Sequence, residues 1–85
     1  MTEIEYLNRI MVYLKQELPP VYRDRIVINE GVLIVKLPED VSFNDTFNVL
    51  HPLILSNVQR VRNREYDLNF SVCSPNQLRD FKIYK

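Results

Sequence analysis

One glycine, one cysteine, one histidine and no tryptophan occur in the 85 residues. A single glycine excludes the phosphate-cradling loops of P-loop and dinucleotide sites, which need several. A single cysteine, Cys73, excludes an intrachain disulfide and a cysteine-built zinc centre. Charge of one sign is not in excess either: 11 Lys+Arg face 11 Asp+Glu, whereas a general binder of polyanions carries a basic surplus. That balance does little to hold molecules apart, which favours self-association. Long apolar runs are missing, and none approaches the ~20 residues of a membrane span. Glu3 and Glu5 stand where a secretory signal would carry basic residues, so a cytoplasmic location is expected. Alternating acids with a glycine, the mark of a calcium loop, do not occur, and no metal or cofactor is implied.

What is present suits one domain, residues 1–85. Apolar residues make up 46%, an ordinary share, and a domain this short buries only roughly 60–65% of its unfolded surface. Gly31 lies between two β-rich runs, Ile26-Val27-Ile28 and Val32-Leu33-Ile34-Val35. Asn29-Glu30-Gly31 predicts a three-residue hairpin turn whose last residue is left-handed, a conformation that glycine adopts cheaply. Pro38 then closes the second strand.

Ahead of the hairpin, Thr2 and Glu5 form a capping box, and the helix it opens runs to about Leu18, where Pro19-Pro20 stops it. Ile4, Leu7, Met11, Leu14 and Leu18 fall on one helical stripe, and Tyr6, Ile10 and Tyr13 widen it beyond the ~100° that a single core contact needs. After the hairpin, Ser42 and Asp45 mark a second helix start. Phe43, Phe47, Leu50 and Ile54 share a face with Pro52 opposite, so the helix is carried through the proline to about Ser56. Residues 57–62 are expected as a weakly patterned strand and 63–65 as a turn. In 66–73 the strand is clearer, because Tyr66, Leu68, Phe70 and Val72 alternate with polar neighbours. Ser74-Pro75-Asn76-Gln77 reads as the start of a short C-terminal helix over 75–82, with Leu78 and Phe81 as its apolar edge.

The expected fold is therefore α+β, an αββαββ order followed by the short helix. Its αββ halves are 2–38 and 42–73. The expected packing is a two-layer sandwich, a four-stranded and mostly antiparallel sheet with two main helices on one face.

No residue constellation demands catalysis. Asp45 and Asn48 are the local candidates to orient His51, and neither makes a catalytic motif with it. Cys73 precedes a cap residue but lacks the signature of a reactive thiol. A non-enzymatic role is expected. The second hairpin strand is apolar on both faces, and the first helix has a wide apolar arc. Tyr6, Ile10, Tyr13, Val32 and Ile34 are thus the candidate surface of a protein-interaction module, a homodimer or a subunit of a larger assembly that binds another protein. The alternative is nucleic-acid binding by Arg60, Arg62 and Arg64, about 7 Å apart on one face of an extended strand, with Tyr66 placed to stack on a base.

Overall fold

A computed structural model describes residues 2–61 and 65–85. The first helix, α1 (Glu3–Glu17), begins at the capping box read from the sequence: the Glu5 amide donates to the Thr2 hydroxyl at 3.2 Å and the Thr2 amide donates to the Glu5 carboxylate at 3.3 Å. It ends where Leu18 donates back to the Leu14 carbonyl, because Pro19 and Pro20 bring no amide hydrogen to continue the ladder. A single 3-10 turn over Pro20–Tyr22 leads into the sheet.

Strands β1 (Ile26–Asn29) and β2 (Val32–Lys36) pair antiparallel, with Asn29 opposite Val32. The loop is thus two residues long, not three. Glu30 and Gly31 both have positive φ, 51° and 76°, the combination a type I′ turn requires. Asn29 belongs to the strand, and the mirror-image turn matches the strand twist better than a type I turn would.

The second long helix, α2 (Phe43–Arg60), opens on Ser42, whose hydroxyl accepts from the Asp45 amide, and runs through Pro52, which is exposed. It extends four residues further than the sequence suggested. Where a strand over 57–62 was expected, 57–60 are the last turn of α2: Asn57 and Val58 are buried helical positions that continue the stripe of Phe47, Leu50 and Ile54. The polar side chain of Asn57 hid that continuation. The expected turn at 63–65 falls largely outside the described residues.

Strands β3 (Leu68–Cys73) and β4 (Leu78–Ile83) complete a four-stranded mixed sheet in the order β1-β2-β3-β4. β3 runs parallel to β2, which an intervening crossover makes possible, and α2 is that crossover. β4 is antiparallel to β3. The expected C-terminal helix is this strand. Ser74-Pro75-Asn76-Gln77 builds a tight turn instead of a helix start: the Ser74 amide donates to the Gln77 carbonyl at 2.8 Å, and the Ser74 hydroxyl accepts from the Gln77 amide at 3.2 Å. Proline followed by asparagine suits the middle of a turn as well as it suits a first helical turn. The tie is broken by β3, whose outer edge gains a ladder from a strand and none from a helix.

Burial alternates along β2, and β3 follows it except at Ser71, which faces away from the core yet is buried. Leu33, Val35, Leu68, Phe70 and Val72 are buried and join Leu7, Ile10, Leu14, Leu50, Ile54 and Val58 of the helices in one core cluster. Their neighbours Val32, Ile34, Asn69 and Cys73 point the other way and are only half-buried. Among the described residues no helix is long and apolar enough to cross a membrane.

Candidate functional site

The register places two rows of side chains across the sheet face that points away from the core. Val32, Asn69 and Lys82 are consecutive partners in one row, and Val27, Ile34, Ser71 and Asp80 in the next. Lys36, Cys73 and Leu78 follow. Val27, Val32 and Ile34 are half-buried, while Lys36, Asp80 and Lys82 are exposed. The face is therefore an apolar centre on β1 and β2 that grades into small polar residues on β3 and charge on β4. A shallow groove of about 340 Å³ lies at one end, lined by Val32, Asn69, Phe70, Asp80, Phe81 and Lys82.

The five apolar residues expected to form an interface do not form one surface. Tyr6 and Ile10 are 5% and 0% exposed and belong to the core. The α1 stripe is rotated toward them, and Ile4, expected inside, is 47% exposed. The wide arc of α1 is thus consumed by contacts with α2, β1 and β2. Tyr13 is half-buried beneath Arg60. Val32 and Ile34 remain on the far side of the sheet from all three.

Arg60 is not on a strand. It is the last residue of α2, and its guanidinium donates to Glu17 at 3.2 Å and to the Asn57 side chain at 3.1 Å. The alternate spacing that aligned Arg60, Arg62 and Arg64 does not apply to a helical Arg60, and Arg62 and Arg64 lie outside the described residues. Tyr66 is 39% exposed and meets Tyr6 edge to face at 6.3 Å.

His51 and Cys73 are not brought together. His51 stacks on Phe47 at 5.6 Å and meets Phe81 edge-on at 4.9 Å. Phe81 stacks in turn on Phe70, and the Arg79 guanidinium lies 4.4 Å from the Phe47 ring centre. His51 thus serves as one ring of an aromatic layer between α2 and β4 on the core face. Cys73 alternates to the opposite face, so the sheet separates the two. Among the described residues no group of three His, Cys, Asp or Glu side chains could hold a metal ion.

One arrangement escaped sequence reasoning. Asn57 is 1% exposed, and its amide nitrogen donates to Glu17 at 3.1 Å and to the Leu53 carbonyl at 2.9 Å, while its oxygen accepts from Arg60. This clamp joins the C-terminal ends of α1 and α2. Its signal in the sequence was a lone asparagine at a helical core position.

The chain matches no family model, no curated protein and no solved structure.

Proposed function

We propose that this chain is a non-catalytic protein-interaction module that binds another polypeptide through the sheet face carrying Val27, Val32 and Ile34. In this reading the molecule is a two-layer sandwich, with both helices on the Leu33 and Val35 face and the opposite face left for a partner. The single observation that supports it is the two-sided apolar character of β2: Val32 and Ile34 are large, apolar and half-buried on the side away from the helices. A contiguous apolar area rimmed by polar residues is the usual mark of a contact with another chain. Nucleic acid is the weaker reading, because the Arg60 guanidinium is already engaged by Glu17 and Asn57.

The test is a pull-down from the native host at low and moderate salt, with the wild-type chain and an Ile34→Lys variant side by side. A protein retained at both salts by the wild type and released by Ile34→Lys supports the module. An unchanged set of retained proteins on the folded variant rejects the face. Nuclease-sensitive retention that disappears with salt returns the question to nucleic acid.

A further inference from the structure

Among the described residues β4 is an edge strand of the sheet, and its sequence pairs Asp80 with Lys82 about Phe81. We propose that the chain forms a twofold dimer by antiparallel pairing of β4 with β4 of a second copy, making one continuous eight-stranded sheet. The partner class, a polypeptide, rests on the proposed function, but the surface is a different one: the edge of the sheet, not its face.

The backbone argument comes first. In an antiparallel pair, residues alternate between directing both their amide and carbonyl at the partner and directing both away. The Ser74 amide donates to the Gln77 carbonyl, so that pair faces inward. Counting along the register, Cys73 and Leu78 form an outward pair, and Val72 and Arg79 an inward one. An independent bond agrees, since the Cys73 carbonyl turns toward β2 and accepts from the Leu37 amide at 2.7 Å. Arg79, Phe81 and Ile83 therefore bond to β3, and Leu78, Asp80 and Lys82 present their amides and carbonyls along the free edge. Such a row is a ready template for another strand.

The side chains decide the register. Antiparallel edge pairing of identical strands places a twofold axis through one residue, which then faces its own copy. An axis at Arg79, Asp80 or Lys82 sets like charges against each other. An axis at Phe81 sets Asp80 against Lys82 twice, Leu78 against Tyr84 twice, Arg79 against the apolar Ile83 twice, and Phe81 beside its copy. Leu78 and Tyr84 are 66% and 70% exposed, the most exposed large apolar residues of the described chain. The same axis makes Asp80 and Lys82 the residues that exchange backbone hydrogen bonds, as their outward orientation requires. Charges on an edge strand ordinarily discourage pairing, but here they discourage every neighbouring register and favour this one. The other edge, β1, is four residues long and carries no charge.

The experiment is a charge exchange on the full chain, followed by sedimentation velocity. Wild type is expected to dimerise. Asp80→Lys and Lys82→Asp each turn two attractive cross-strand pairs into repulsive ones, and each is expected to weaken dimerisation at least about tenfold. The double variant Asp80→Lys, Lys82→Asp recreates both pairs and is expected to return to within about threefold of wild type. All three keep the inward bonds to β3, and circular dichroism checks that they fold. A wild type that stays monomeric at high micromolar concentration overturns the proposal. So do single variants that dimerise as wild type does, or a folded double variant that does not recover. Ile34→Lys is expected to keep this dimer, and its loss there with the charge variants unaffected would move self-contact to the sheet face, overturning the edge while leaving the module reading in place.

Discussion

The guanidinium carbon of Arg60 lies 3.8 Å from the centre of the Tyr13 ring. This contact closes a cluster in which α1 contributes Tyr13 and Glu17 and α2 contributes Asn57 and Arg60. Asn57 is the buried member, and its amide and oxygen are all engaged. Removing one partner of a buried hydrogen bond costs more than the bond itself contributes, because the other partner loses water without compensation. Asn57→Ala is expected to destabilise the fold by about 1–3 kcal/mol. Denaturant unfolding measures this, and Arg60→Ala, which removes an exposed ion pair and a donor to the Asn57 oxygen whose place water can take from the half-exposed Arg60 side, is expected to cost less, about 1 kcal/mol.

The hairpin turn separates two neighbouring residues by their tolerance of the same backbone. Glu30 and Gly31 both have positive φ, which costs a residue with a side chain roughly 1–2 kcal/mol. A Cβ on Gly31 would meet only the Glu3 carboxylate at 3.5 Å, an ordinary contact, so the whole cost of Gly31→Ala is conformational. Thermal unfolding is expected to show Gly31→Ala losing about 1 kcal/mol and Glu30→Asn gaining up to about 1 kcal/mol, since asparagine enters the left-handed region most readily.

These two sites also show what the sequence could and could not reveal. Capping residues and the lone glycine announce themselves because each satisfies a local need: Thr2, Ser42, Pro19 and Gly31 mark the ends and turns they were expected to mark. The errors share a different cause. At Asn57 a polar residue interrupts an apolar stripe, and only contact with Glu17 makes it a core residue. At Ser74-Pro75-Asn76-Gln77 a turn and a helix start demand the same residue types, and only the open edge of β3 chooses between them. Tyr6 and Ile10 looked surplus because the rotation of α1 about its axis depends on α2 and β1. Where long-range packing decides, local pattern is silent: Val32 and Ile34 lie on the sheet face that points away from the core, whereas Tyr6 and Ile10 are inside it.

The two faces of the sheet are expected to respond differently to comparable insults. Phe70 is 1% exposed and stacks on Phe81 at 5.4 Å, so Phe70→Ala is expected to cost about 3–5 kcal/mol through lost contacts and the cavity left behind. For a domain of this size, that removes much of a total stability near the low end of about 5–15 kcal/mol. Ile34→Lys, with its side chain free to reach water, is expected to cost roughly 1 kcal/mol. Equal losses in chemical denaturation would mean that the second face is covered after all.

β4 offers the sharpest distinction, because its residues differ only in which way their backbone points. Arg79, Phe81 and Ile83 bond to β3, and their amides are expected to exchange slowly with deuterium in the monomer. Amides of Asp80 and Lys82 face outward and are expected to exchange quickly, and a helix over the same residues would protect consecutive amides instead. Raising the concentration is expected to slow Asp80 and Lys82 selectively, since pairing with a second β4 occupies those two donors and leaves the inward set unchanged. Proline reads the same alternation without isotopes. Lys82→Pro removes only an outward donor and is expected to fold as a monomer, whereas Phe81→Pro deletes a ladder bond and a stacked ring and is expected to cost about 3 kcal/mol or more. A monomeric, stable Lys82→Pro beside an unstable Phe81→Pro follows from one register alone, the one that sets Phe70 opposite Phe81. A shift of that register by one residue would exchange the two outcomes.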